Sequence, residues 1–149
     1  MIKKASHIIS LCAALLLGAC QNGTSNTQDT APMDPASQVT KGQWVLVSGQ
    51  SNGKALNIKD GTVTLNIDKK EGFTGNSAVN NYNVPAKIHG STIEHTGEIS
   101  VTLMAGSMEA MRLESSYLEA MREVKTIKQD GEKLILSADG IELKFSPAP

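Results

Sequence analysis

Cysteine is scarce in this chain, and its two copies, Cys12 and Cys20, both lie near the amino terminus of the 149 residues. Any domain beyond Cys20 is therefore free of cysteine, which excludes internal disulfides, Cys-ligated zinc or iron-sulfur sites and a nucleophilic thiol there. Long apolar runs are nearly absent as well. One stretch, Ile8 to Leu17, qualifies, and it is shorter than the roughly 20 residues a membrane-spanning helix needs. Basic clusters are also missing. Lys and Arg are dispersed among acids at a net charge of −1, which argues against a nucleic-acid partner, since phosphate backbones demand concentrated positive charge.

What the amino terminus does contain is an export pattern: Lys3 and Lys4, then the apolar stretch, then Gly18-Ala19-Cys20. That order of positive start, apolar run and small-residue processing site is the grammar of a signal peptide. Leu17-Gly18-Ala19-Cys20 resembles a bacterial lipobox. The resemblance implies that residues 1–19 are removed and that Cys20 carries lipid. Several acyl chains on one cysteine would hold the protein on its membrane, because each buried methylene contributes about 0.8 kcal/mol. Gln21 follows where Gram-negative lipoproteins of the inner membrane usually carry aspartate, so the resemblance points to the outer membrane.

Residues 20–41 read as the lipidated cysteine and a tether. Gln, Asn, Ser, Thr, Asp and Pro dominate from Gln21 to Thr40, without an aromatic residue. Such a composition cannot offset the cost of ordering its backbone, and a coil of that length spans roughly 25 Å. Residues 42–146 then have the size of one domain with one core, followed by a tail at 147–149. Loss of Lys3 and Lys4 leaves twelve basic against fifteen acidic side chains.

Inside the domain, Asn52-Gly53, Asp60-Gly61, Asp130-Gly131 and Asp139-Gly140 separate short apolar segments, which predicts antiparallel hairpins. Val63, Leu65 and Ile67 alternate with polar residues, as do Ile141, Leu143 and Phe145, so each trio faces inward from a half-buried strand. Val124 to Lys128, Lys133 to Leu136 and Ile141 to Phe145 form a three-stranded meander. One segment has a helical period. From Ser107 to about Glu123, Met104, Met108, Met111, Leu118 and Met121 recur at spacings near three and four, flanked by Ala110, Leu113, Tyr117 and Ala120. Ser107 is the expected cap and Glu109 suits the positive end of the helix dipole. The methionines admit two readings: core packing, or contacts to a hydrophobic ligand through Met104, Met108, Met111 and Met121.

Several local motifs add to this: Trp44-Val45-Leu46, the stretch Phe73-Thr74-Gly75-Asn76-Ser77-Ala78-Val79-Asn80-Asn81-Tyr82, Thr102-Leu103-Met104-Ala105-Gly106, and Glu114 with Tyr117-Leu118. In this order they resemble the META domain, or HslJ-like, family over almost the whole domain. The resemblance implies an α+β fold, a small open antiparallel β-barrel or strongly curved sheet with one amphipathic helix packed on it. Many relatives carry cysteine where Val79 and Gly106 stand here, and the joint departure looks like a missing disulfide. Trp44, Gly75, Asn80, Tyr82, Thr102 and Glu114 occupy the motif positions, with structural roles expected: Trp44 as a core anchor, Gly72 and Gly75 for a bend or close backbone approach, Asn80 and Asn81 in left-handed or side-chain-bonded turns, and Glu114 bonded to a neighbouring strand or loop.

An enzyme remains the weakest of three readings. His89 and His95, with Glu94 and Glu98 nearby, would stand about 20 Å apart in one extended strand, although a turn at Gly90-Ser91 could bring them together. No zinc spacing, catalytic triad or phosphate loop is visible. The sequence therefore points to a non-enzymatic outer-membrane lipoprotein facing the periplasm, without cofactor or metal, partnered by the membrane and by an envelope protein or lipid. The family resemblance implies links to envelope stress, heat shock and drug tolerance. The alternative is a hydrophobic-ligand carrier or pilotin-like chaperone.

Overall fold

Alternation of apolar and polar side chains turns about half of residues 42–149, the part described by the computed structural model, into antiparallel strand. The signal segment, Cys20 and the tether lie outside the described residues. In chain order the elements are β1 (Trp44–Ser51), β2 (Lys54–Ala55), a 3-10 turn (Ile58–Asp60), β3 (Thr64–Asp68), β4 (Gly72–Asn76), β5 (Asn81–His89), β6 (Thr92–His95), β7 (Ser100–Val101), α1 (Met108–Glu123), β8 (Thr126–Asp130), β9 (Lys133–Ala138) and β10 (Ile141–Pro147).

Eight of the strands form a ring in the order β1-β3-β4-β5-β6-β8-β9-β10, and β10 returns to β1. The barrel is thus closed rather than open. Closure runs along the full length of β1, from Trp44 opposite Pro147 to Ser51 opposite Ile141, with a register shift between Leu46 and Ser48. The last strand therefore includes Pro147, and the Ala148 amide donates to the Gln43 carbonyl at 2.7 Å, so the first residue of the expected tail at 147–149 belongs to β10. The ring is thinnest between β6 and β8, where Thr92 opposite Thr126 is the one registered pair. Two flanking bonds reinforce it, Ile93 N–H to Lys125 O and Ile127 N–H to Ser91 O, each 2.9 Å.

The predicted turns hold with one exception. Asn52 and Gly53 both take positive φ, 51° and 77°, as a two-residue hairpin turn of primed type requires. At Asp60-Gly61 there is no hairpin. Leu56 is buried and Ile58 half-buried, and the chain tucks them in with the 3-10 turn, where Asn57 Nδ2 donates to Asp60 Oδ2 at 2.7 Å. The inward residues match the alternation: Val63, Leu65, Ile141, Leu143 and Phe145 are buried, and Ile67 is partly so. Trp44 is buried as expected, although its indole Nε1 has no protein partner.

Helix α1 starts at Ser107, whose Oγ accepts from the Ala110 amide at 3.1 Å, with Glu109 in the first turn and Arg122 in the last. Its buried face is Ala110, Leu113, Tyr117, Leu118, Ala120 and Met121. Only the first half of the methionine stripe is rotated away from that face: Met108 and Met111 are exposed, while Leu118 and Met121 join the residues expected to flank the stripe on the buried side. The carboxyl-terminal part of the helix shares a cleft with the β1–β2 and β9–β10 turns, lined by Ser51, Asn52, Asp139, Glu119 and Glu123. No helix among the described residues is long and apolar enough to cross a membrane.

Candidate functional site

Two structural devices create a hydrogen-bonded polar cluster that joins the β4–β5 turn, the segment after β7 and the middle of α1. The first is the turn at Ser77 to Asn80, closed by Ser77 N–H to Asn80 O at 2.7 Å and by Ala78 N–H to Asn76 Oδ1 at 3.0 Å. The left-handed residue of this turn is Ala78, at φ 90°, rather than Asn80 or Asn81. The second is the proximity of backbones at glycine. A Cβ on Gly75 would collide with the Thr64 carbonyl, and one on Gly72 with the Val84 carbonyl, so both glycines serve close strand approach.

Glu114 reaches this turn from the helix. Its Oε2 accepts from Ser77 Oγ at 2.5 Å and from the Asn80 amide at 2.8 Å, and its Oε1 accepts from Asn80 Nδ2 at 2.9 Å. Burial alone would raise the carboxyl pKa, but donors from Ser77, Asn80 and the Val79 amide outweigh it and hold the group below the usual carboxylate range. Asn80, itself buried, distributes the other half of its side chain to the segment after β7. Its Oδ1 accepts from Thr102 Oγ1 at 2.9 Å and from the Met104 amide at 2.7 Å, while its Nδ2 also lies 3.2 Å from the Met104 carbonyl. Thr102 Oγ1 in turn accepts from the Asn81 amide at 3.1 Å. Helix, turn and loop are locked together by one asparagine and one glutamate.

A second link lies deeper. Tyr82 and Tyr117 meet edge to face, with their hydroxyl oxygens 2.7 Å apart. Tyr82 donates to the Thr64 carbonyl at 2.9 Å, so its single proton is used and Tyr117 must donate to Tyr82. Burial pushes both phenols far above their ordinary range.

Chemically, these groups are committed to one another. Ser77 Oγ beside a carboxylate would be a nucleophile–base pair in an open site, but Ser77 has no exposed surface. His89 and His95 are not assembled either. His89 Nε2 lies 3.4 Å from Glu94 on the exterior of the hairpin. His95, paired opposite Ala86, takes the other face and bonds the Val124 carbonyl through Nε2 at 2.8 Å. Among the described residues, no group of three or more His, Cys, Asp or Glu side chains could hold a metal ion.

The four methionines named as ligand contacts do not share a cleft. Met121 is fully buried in the core, whereas Met104, Met108 and Met111 are exposed, as is Leu103. Leu113, Tyr117 and Leu118 belong to the same core cluster as Met121. Of the motif residues, Asn80, Tyr82, Thr102 and Glu114 are engaged in the hydrogen bonds just given, Trp44 lies in the core, and Gly75 permits the strand contact. Sequence reasoning missed Ser77 and the Tyr82–Tyr117 pair, whose partners are 37 and 35 positions away and leave no local signal. It did find Val79 and Gly106: a Cβ on Gly106 would lie 3.4 Å from Val79 Cβ and 2.7 Å from its Cγ2.

Comparison with known proteins gives three findings. An NMR structure of a protein from Burkholderia xenovorans superposes with a TM-score of 0.61 at 21% identity, covering 87% of this chain and 99% of that one, a likeness of fold. No curated protein matches the sequence. The META domain model matches residues 37–149, which takes in every described strand from β1 to β10 and the helix, and the chain therefore belongs to the META domain family.

Proposed function

We propose that this chain is a lipid-anchored outer-membrane lipoprotein whose META domain faces the periplasm and acts in envelope maintenance and stress or drug tolerance by contact rather than by catalysis. The anchor rests on Leu17-Gly18-Ala19-Cys20 and the outer-membrane destination on Gln21. The observation that carries the contact reading is the division of labour between interior and surface. Polar groups that could do chemistry, Ser77, Asn80, Glu114, Tyr82 and Tyr117, are satisfied by one another, while Leu103, Met104, Met108 and Met111 face solvent. Exposed apolar patches of a few hundred Å² commonly mark interaction sites.

The test is fractionation of cells labelled with radioactive palmitate, comparing the natural chain with Cys20→Ser, together with complementation of a deletion strain under heat and membrane-active drugs. The natural chain should carry label, sediment with the outer membrane and restore tolerance. Cys20→Ser should do none of these. Full complementation by Cys20→Ser would overturn the anchored reading. Turnover of a substrate by the purified domain would overturn the contact reading.

A further inference from the structure

The apolar surface at Leu103, Met104, Met108 and Met111 is displayed by a backbone that is firmly held. Asn80 bonds both the amide and the carbonyl of Met104, Thr102 is bonded on its amide and its hydroxyl, and Ser107 caps the helix that carries the next two methionines. A loop fixed this thoroughly could as easily present polar side chains, yet Leu103 is fully exposed and Met108 is 64% exposed. The charge pattern narrows the partner. Between Lys87 and Arg112 the chain has no Lys or Arg, only the acids Glu94, Glu98 and Glu109. Arg112, exposed beside Met111, is the cation next to them in the chain, so ionic attraction to a negatively charged surface has little footing there.

The chain outside the described residues supplies the other half. If Cys20 is lipidated, the lipid and the domain are separated by residues 21–41 alone, and a coil of that many residues would span roughly 25 Å, comparable with the diameter of a domain of this size. Its apolar surface then meets the bilayer at an effective concentration on the order of millimolar. One leucine and three methionines would bind a membrane feebly by themselves, but under that tethering a feeble contact is enough to set orientation.

We infer that the Leu103–Met104–Met108–Met111 surface is a second membrane contact, dipping into the interface of the bilayer that the Cys20 lipid anchors to. This rests on the anchored-lipoprotein reading above. The contact is apolar, so it needs no anionic lipid and tolerates salt. It turns a tethered domain into one with a fixed face toward the membrane.

The experiment uses the full mature lipidated chain with Leu103→Cys, whose new thiol is unique once Cys20 carries lipid. The thiol is labelled with bimane and the protein reconstituted in phosphatidylcholine vesicles with or without nitroxide-bearing lipid. Glu132→Cys, in the β8–β9 turn, is the control. The label at 103 should shift to the blue, lose quenching by aqueous iodide and gain quenching by the nitroxide lipid, unchanged by added salt. The label at 132 should stay wet. Because bimane is itself apolar, the reading is repeated with Met104→Ser and Met108→Ser, where lipid quenching at 103 should fall. Equal iodide quenching at 103 and 132 would overturn the inference, as would a blue shift without lipid quenching, which would mean contact between copies of the chain. A mature mass lacking acyl chains would instead remove the anchor reading, and this inference with it.

Discussion

At Glu114, burial and hydrogen bonding pull in opposite directions, and the hydrogen bonds win. A carboxyl whose folded pKa lies below its unfolded value contributes stability that is present above the unfolded value and lost as pH falls through the folded one. Acid unfolding should therefore draw on this group, and Glu114→Gln should flatten the acid limb of a plot of Tm against pH. At neutral pH the same substitution turns an NH2 group toward the donors of Ser77 or Asn80, a loss of about 1–3 kcal/mol. Trp44, the single tryptophan and buried, reports both by its fluorescence. The tyrosine pair makes an asymmetric prediction. Tyr82→Phe strands the buried Tyr117 hydroxyl at a cost of about 1–3 kcal/mol, whereas Tyr117→Phe leaves Tyr82 its bond to Thr64 and should cost less; urea unfolding of the two variants decides the order. Asn80, Tyr82 and Glu114 were legible from the sequence because their motif context marks them. Ser77 was not, since nothing local ties a serine to a carboxylate on a distant helix.

Among the elements, the helix shows where pattern reading succeeds and where it fails. Its span and cap were legible, because Ser107, Glu109 and the three-to-four periodicity are local features. Its rotation was not. Two apolar stripes overlap on α1, one running from Met108 and Met111 to Leu118 and Met121 and one through Ala110, Leu113, Tyr117 and Ala120, and they part in the first turns, where Met108 and Met111 are exposed. Hydrophobicity alone cannot choose between them. Glu114 reaching the Ser77–Asn80 turn and Tyr117 reaching Tyr82 choose the second, and those are tertiary contacts. The hairpins were similarly legible at Asn52-Gly53, Asp130-Gly131 and Asp139-Gly140, and failed at Asp60-Gly61 because burial of Leu56 and Ile58 redirects the chain. The link between the β4–β5 turn and the start of α1 yields an element-scale prediction. Val79→Cys with Gly106→Cys places two Cβ atoms 3.4 Å apart, close to the usual disulfide spacing of about 3.8 Å. Expressed in an oxidising compartment, the double variant should form the bond and gain up to about 3 kcal/mol against unfolding. Free thiols after full oxidation, or a lowered Tm, would show that the two segments are not neighbours.

At the scale of the molecule, closure is what separates interior from exterior. The pairing of β10 with β1 removes two sheet edges, and one core runs from Trp44 through the barrel to the buried face of the helix. Sequence patterning gave the antiparallel strands and the helix. The closed ring was less accessible, since pairing of the first strand with the last depends on how far the whole sheet twists. With the interior filled and its polar groups matched except for the Trp44 indole N–H, the proposed function rests on the anchor and the outer surface. Surface and core variants should therefore separate stability from function. Glu114→Gln should lower Tm and reduce function only through loss of folded protein. The most direct measurement is complementation of the deletion strain by Leu103→Ser/Met108→Ser, with Tm and outer-membrane abundance measured on the same protein. Natural Tm and abundance with loss of stress tolerance is the expected result, and full tolerance from that variant would contradict a role for this surface.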